Sequence, residues 1–427
     1  VTHRLWCELA WLGGERAEPG VTIDIDGERI VSVDHAPIAP PEAERIPGLT
    51  LPGLANAHSH AFQRALRGRT QTGRGSFWTW REQMYELAGR LDPDSCLAIS
   101  RACFGEMALA GITCVGEFHY VHHSPSGVPY ADPNAMGEAV LAAAGEAGIR
   151  ITLLDACYLN GGIGRFRDRD AHSWVDRVDD LRDGPAARIG AAIHSVRAVE
   201  PDAARVVAEW AAGRPLHSHV SEQPRENEEC LAAYGRTPAA VLSEAGAVSD
   251  AFTAVHATHL TQEDFTTLGT GTVCLCPTTE RDLADGIGPA RELVGAGARL
   301  AIGSDSHAMI EPFEEARAIE LDERLATGMR GLHTAPELLR AASADGHAAL
   351  GWRDAGRIEA GALADLCTVS LDSVRLAGTP PASAIEAVVF AGGAGDVRDV
   401  MVGGSWIVRD GRHLSLDVPG ELRAALP

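Results

Sequence analysis

Short apolar runs recur along the chain with helical or loop segments between them, and each run ends in polar, potentially reactive residues. Eight of these runs are predicted as strands: 51–60, 113–120, 150–158, 188–196, 216–222, 252–259, 272–280 and 299–307. The intervening stretches, such as 98–110 and 201–211, space their apolar positions as an amphipathic helix does. Alternating strands and helices predict a parallel sheet, and eight such units predict an α/β fold, a (β/α)₈ TIM-like barrel with its active site at the C-terminal strand ends. Those ends are where the polar residues fall.

The flanks follow a different period. Residues 21–33 alternate as a hairpin with Asp26-Gly27 at its turn, and 399–411 form a second. Both ends are therefore β-rich, which predicts a small composite β-sandwich domain built from 1–48 and 360–427 around a barrel spanning 49–359. The segment 356–365 is the expected return into it. The longest loop, 61–94, carries Phe77-Trp-Thr-Trp-Arg81 and is expected to fold over the barrel mouth, with Trp78 and Trp80 as packing residues.

Composition narrows the function classes. Hydrophobic residues at 45% and charged residues at 22% are ordinary for a soluble globular chain. A formal charge of −22 argues against nucleic acid or an anionic membrane as partner, so an anionic substrate would need a local arginine pocket. No apolar run approaches a membrane span, and Val1-Thr-His-Arg-Leu-Trp lacks a secretory pattern, so a cytoplasmic location is expected. The nine cysteines are odd in number and contain no C-x-x-C pair, and Cys274-x-Cys276 reads as alternation within a strand. All 37 basic residues are arginine. The lack of lysine excludes Schiff-base chemistry, a Walker P-loop and a metal bridge built on a modified lysine.

Four strand ends carry ligand-type residues. They are His58-Ser-His60, His217-Ser-His219-Val-Ser-Glu222, His256-Ala-Thr-His259 and Ser304-Asp305-Ser-His307. Residues i and i+2 of an extended segment project to one side, so His58 and His60 can grip one ion. With His219 and Asp305 they make a three-His, one-carboxylate set suited to a divalent ion, zinc, with an open position for water. Glu222 and His256 remain beside it as proton-transfer groups. His217, His259, His307 and the His122-His123 pair are read as polar rim residues.

Through Pro52-Gly-x-x-Asn56-x-His58-x-His60, His219-x-x-Glu222, His256 and Gly303-Ser-Asp305, nearly the whole chain resembles the amidohydrolase superfamily. The resemblance implies a mononuclear member with one ion on these four ligands, and a homodimer. Asp305 would orient the water and take its proton, His256 would stabilise the tetrahedral centre, and Glu222 would carry a proton to the departing nitrogen. The stretches 58–65, 76–85, 117–123 and 194–198 resemble the branch that hydrolyses N-formimino-L-glutamate to N-formyl-L-glutamate and ammonia. That likeness implies Arg81 and Arg197 on the two substrate carboxylates, with Gln63, Tyr120 and His194 as further donors. The chain departs from the branch at Asp282 and Ala284, where Asn and Gly are expected, which puts a substrate contact from that loop in doubt. Two other readings stay open: a related deaminase of an aminopurine or other heterocycle, and a non-catalytic barrel scaffold.

Overall fold

The computed structural model of the protein describes residues 3–426; positions 1, 2 and 427, which fall in the predicted terminal segments, lie outside the described residues. Among the described residues the strands run β1 His3–Ala10, β2 Glu18–Asp26, β3 Arg29–His35, β4 Glu44–Pro52, β5 Leu54–Ser59, β6 Ile112–His119, β7 Arg150–Cys157 and β8 Ala187–Ile193. They continue with β9 Leu216–Val220, β10 Phe252–His256, β11 Thr272–Leu275, β12 Arg299–Ile302, β13 Leu366–Val369, β14 Val397–Val402, β15 Ser405–Arg409 and β16 Arg412–His413.

Strands β5 to β12 pair in sequence order, each parallel to the next, as eight successive strand–helix units require. The ring closes through a parallel bridge between Ser59 and Asp305, where the Asp305 amide donates to the His58 carbonyl at 3.0 Å and the His60 amide donates to the Asp305 carbonyl at 3.1 Å. Closure is thus made by the backbone of three candidate ligands. Inside the barrel the packing is small: Ala57, Val255, Cys274, Cys276 and Ala301 form one cluster. Cys274 of β11 and Cys276, one residue past the strand's end, share it, and all nine cysteines are buried and unpaired.

The remaining eight strands form one continuous mixed sheet from both ends of the chain, in the order β16-β15-β14-β13-β4-β1-β2-β3. Its own core holds Leu5, Ile23, Ile25, Ile46, Leu366 and Met401. The first apolar run divides between the two sheets: β4 ends at Pro52, and β5 begins at Leu54. Gly53 makes that crossing possible, since a Cβ there would lie 2.3 Å from the Thr113 hydroxyl. Barrel strands end earlier than the apolar pattern predicts. The run 272–280, for example, is strand only to Leu275 and then turns into the helix Pro277–Leu283. The long loop is likewise structured by a 3₁₀ turn, Ala61–Leu66, and a helix, Phe77–Ala88. No helix of the described residues is long and apolar enough to cross a membrane.

Candidate metal centre and substrate pocket

The mouth of the barrel gathers backbone conformations that L-residues rarely adopt. Ser221, His256, Ala257, Asp305 and His307 all have φ between 43° and 67°. Ser221, His256 and Ala257 sit at or just past the last residue of β9 and β10, and Asp305 and His307 in the turn that follows β12, where left-handed residues redirect the chain at the barrel mouth. Such strain is held only where the surrounding structure over-determines it. Gly303 shows how tight the fit is, because a Cβ there would stand 2.8 Å from His58 Cβ and 2.9 Å from Cys276 Sγ.

His58, His60, His219 and Asp305 converge. His58 Nε2 lies 3.2 Å from His219 Nε2 and 3.4 Å from Asp305 Oδ1, and His60 Nε2 is also 3.4 Å from Asp305 Oδ1. Two backbone carbonyls decide what these rings can offer. His60 Nδ1 is bonded to the Phe118 carbonyl and His219 Nδ1 to the His194 carbonyl, both at 2.9 Å. A carbonyl can only accept, so both Nδ1 atoms carry the proton and both Nε2 atoms are left with a lone pair, that of His60 facing Asp305 Oδ1 and that of His219 beside His58 Nε2. Burial keeps the imidazoles neutral: it pushes His58 down to about 3, lowers His60, and drives His219 well below the ordinary value with help from the neighbouring rings. Burial alone would raise the Asp305 carboxyl, yet the His58 hydrogen bond and the adjacent imidazoles outweigh it and pull it below the usual range. Inward lone pairs beside an ionised carboxylate leave a buried centre of acceptors, which a divalent cation satisfies and a hydrogen-bond network does not. The donor set therefore fits a metal ion.

His256 and Glu222 flank this centre. His256 Nε2 stands 3.7 Å from Asp305 Oδ2 and 3.8 Å from Glu222 Oε1, while its Nδ1 lies 3.3 Å from Glu280 Oε1. Burial would depress this imidazole, but Glu222, Glu280 and Asp305 outweigh it and hold the ring well above its ordinary value. Glu222 is raised by burial, with His256 and Arg197 opposing. A protonated imidazole and a carboxyl with raised proton affinity on one wall are what proton transfer at neutral pH needs.

The cavity above these residues, about 200 Å³, is lined by all five residues predicted for the substrate: Gln63, Arg81, Tyr120, His194 and Arg197. Gln63 Nε2 donates to the Tyr120 hydroxyl at 2.8 Å, which leaves the buried Gln63 Oε1 without a partner. Arg197 approaches Glu222 only to 3.8 Å, and the Nε atoms of Arg81 and Arg197 are buried without a hydrogen bond. Donors held at a cavity wall without acceptors are suited to a carboxylate-bearing ligand. His194 packs on Tyr158, ring centroids 4.3 Å apart, and is kept neutral by burial and by Arg197.

The histidines read as rim residues are instead structural and mostly buried. His307 sits between Ser59 Oγ at 3.1 Å and Ser304 Oγ at 3.0 Å; Ser59 in turn donates to Glu117 at 2.5 Å, and Asn56 binds Ser304. This chain joins β5, β6 and the end of β12 behind the ligands. His122 and His123 bond to the Ala156 and Arg167 carbonyls, His217 to Ala349 and His259 to Asp285. They were misread because strand-end position alone does not say which side of the barrel wall a ring takes. Glu280, Tyr158 and the carbonyls of Phe118 and His194 were missed as site components. Glu280 was within reach, being the first acidic residue in the polar run after β11, whereas a carbonyl leaves no mark in sequence. The doubtful loop resolves simply: Asp282 is exposed and accepts from Gln71 Nε2 at 2.7 Å, and Ala284 occupies a left-handed helix cap at φ 59°, a position that favours glycine.

Barrel and site together define a metal-dependent hydrolase architecture, and the amidohydrolase family model matches residues 49–407: the chain belongs to the amidohydrolase family. It is 39% identical over 90% of its length to the formimidoylglutamate deiminase of Pseudomonas aeruginosa, covering 88% of that protein. It is also 31% identical to the 5-methylthioadenosine/S-adenosylhomocysteine deaminase of Natronomonas pharaonis, covering 88% of this chain and 85% of that one. Among solved structures, an amidohydrolase from Brucella melitensis superposes with a TM-score of 0.92 at 33% identity, over 99% of both chains.

Proposed function

We propose that this protein is a metal-dependent deiminase that hydrolyses N-formimino-L-glutamate to N-formyl-L-glutamate and ammonia. The observation that carries the reading is the joint one: Arg81 and Arg197, each with an unbonded buried Nε, line the same cavity as His60, His219 and Asp305, whose ligand atoms gather with that of the fully buried His58. Two guanidiniums match the two carboxylates of that substrate. The 39% identity to a formimidoylglutamate deiminase supports it.

His58, His60, His219 and Asp305 would hold one divalent ion, zinc by the chemistry of the set. When bound, such an ion supplies Lewis acidity that lowers the pKa of water from 15.7 to about 7. The protein's own groups then divide the work. Asp305 accepts the proton of the attacking water at its Oδ2, the oxygen facing His256. As the formimino carbon becomes tetrahedral the charge develops on its terminal nitrogen, and protonated His256 donates from Nε2 to the water-derived oxygen and steadies the adduct. Glu222 delivers one proton to the terminal nitrogen and Asp305 passes on the one it took from water, so the C–N bond breaks and ammonia leaves; the hydroxyl's remaining proton returns to Glu222 as the C–O bond becomes the formyl carbonyl. Gln63, Tyr120 and His194 complete the donor wall around the formimino group and its carboxylates. The same reading includes a homodimer in the cytoplasm with a small anionic substrate and, given the −22 charge, no nucleic acid.

The test is ammonia release by the purified, metal-replete protein offered N-formimino-L-glutamate beside adenosine, S-adenosylhomocysteine and a pterin. Turnover of the first above the rest is expected. No release from it, or faster deamination of a purine, overturns the assignment in favour of the heterocycle reading.

A further inference from the structure

Arg81 reaches the cavity from the helix Phe77–Ala88, an element outside the barrel's strand–helix repeat, so its position depends on what fixes that helix. Among the described residues no carboxylate forms an ion pair with Arg81; its guanidinium carbon lies instead 4.5 Å from the centroid of Trp78 and 5.6 Å from that of Tyr85, one turn before and one turn after it. Trp78 has a second cation. The Arg225 guanidinium carbon is 4.8 Å from the same ring, and Arg225 belongs to the helix Pro224–Tyr234 that follows β9 and begins two residues after Glu222. One indole therefore joins the guanidinium of the covering helix to one from the barrel itself.

Arg225 also lines the cavity, but its Nε already donates to Glu229 Oε1 at 2.6 Å. That pairing offsets its charge and fixes the guanidinium plane, which suits stacking better than receiving a third carboxylate. We propose that Arg225 is a positioning residue: through Trp78 it anchors the helix Phe77–Ala88 to the barrel and so sets Arg81 over the substrate. The inference rests on the reading that Arg81 binds a substrate carboxylate. Trp78, expected to be a packing residue, becomes the joint between two arginines.

The test uses Arg225→Ala and Arg225→Lys in the full-length, metal-replete protein, with two readouts. Hydrogen exchange of the amides of residues 77–88, measured without substrate, is expected to speed up in Arg225→Ala and to recover largely in Arg225→Lys, which keeps a cation over the ring. Steady-state kinetics on N-formimino-L-glutamate are expected to show KM raised about two- to fivefold in Arg225→Ala, the range of one solvent-exposed cation–π contact, with kcat changed less than about twofold. Unchanged exchange overturns the anchor whatever the substrate proves to be. Faster exchange with unchanged KM overturns the positioning role. An inactive wild type would refute the assigned substrate instead, and exchange would then decide the anchor alone.

Discussion

Removing the Arg177 guanidinium is expected to be among the most destabilising single changes away from the metal centre. Arg177, on the helix Ala171–Val178, binds Asp155 of β7 through Nη1 and Nη2, both at 2.9 Å, and Asp168 through Nη2 at 2.9 Å and Nε at 3.2 Å. All three side chains are buried. Burial alone would raise Asp155, but Arg177 outweighs it and keeps that carboxyl below its usual range. Asp168, beside the same cation, is still raised by its burial, so Asp155 is the charge that Arg177 chiefly compensates. Arg177→Met keeps most of the side-chain volume and strands at least one buried carboxylate. Breaking a buried pair in this way costs about 3–5 kcal/mol. Urea unfolding followed by tryptophan fluorescence reads it directly, since Trp174 donates to Asp155 Oδ1 at 3.0 Å within the same cluster. Arg177→Met combined with Asp155→Asn should recover at least half the loss, because the stranded charge is then gone. KM should rise as well: the Asp168 amide bonds the Tyr158 carbonyl at 3.0 Å and pins a loop that lines the cavity. A loss below about 1 kcal/mol, or a double variant no more stable than the single one, would refute the reasoning.

Three other outcomes are expected. His219→Ala removes one inward Nε2 and should weaken ion retention at least about a hundredfold, read as metal content after dialysis; stoichiometric metal in the variant would rule His219 out as a ligand. Glu222→Gln keeps the shape but cannot deliver a proton, so kcat should fall about 10²- to 10⁴-fold with KM changed only a few-fold, and half-normal kcat would remove Glu222 from the mechanism. Ala284→Gly relieves a left-handed cap at φ 59° on an exposed residue and should raise the unfolding free energy by about 0.5–1 kcal/mol, with no effect on KM. A loss of stability there would show that the cap carries no strain.

How far the sequence reaches can be judged from particular residues. The eight barrel strands were legible because buried parallel strands are short and apolar, and because ligand-type residues collect at only one end of them. Their C-terminal limits were not, since Ser221, Ala257 and Asp305 leave the strand by a left-handed turn that their residue types do not announce. The split at Gly53 was hidden for the opposite reason: β4 and β5 share one apolar run, and only the Thr113 side chain, distant in sequence, shows why the residue between them has no Cβ.

The candidate ligands were legible as types but not as states. His58-x-His60, His219 and Asp305 were identifiable by spacing, yet spacing serves a hydrogen-bonded imidazole as well as a metal ligand. What separates the two is the tautomer, and here it is set by the carbonyls of Phe118 and His194, one on β6 and the other just after β8. Any residue type at 118 or 194 supplies a carbonyl, so no reading of side chains could have found them. The same holds for Arg81: its charge is in the sequence, whereas its position over the cavity depends on Trp78 meeting Arg225 from another helix. The placement of Arg81 over the cavity thus rests on a contact between two elements, which no single stretch of sequence records.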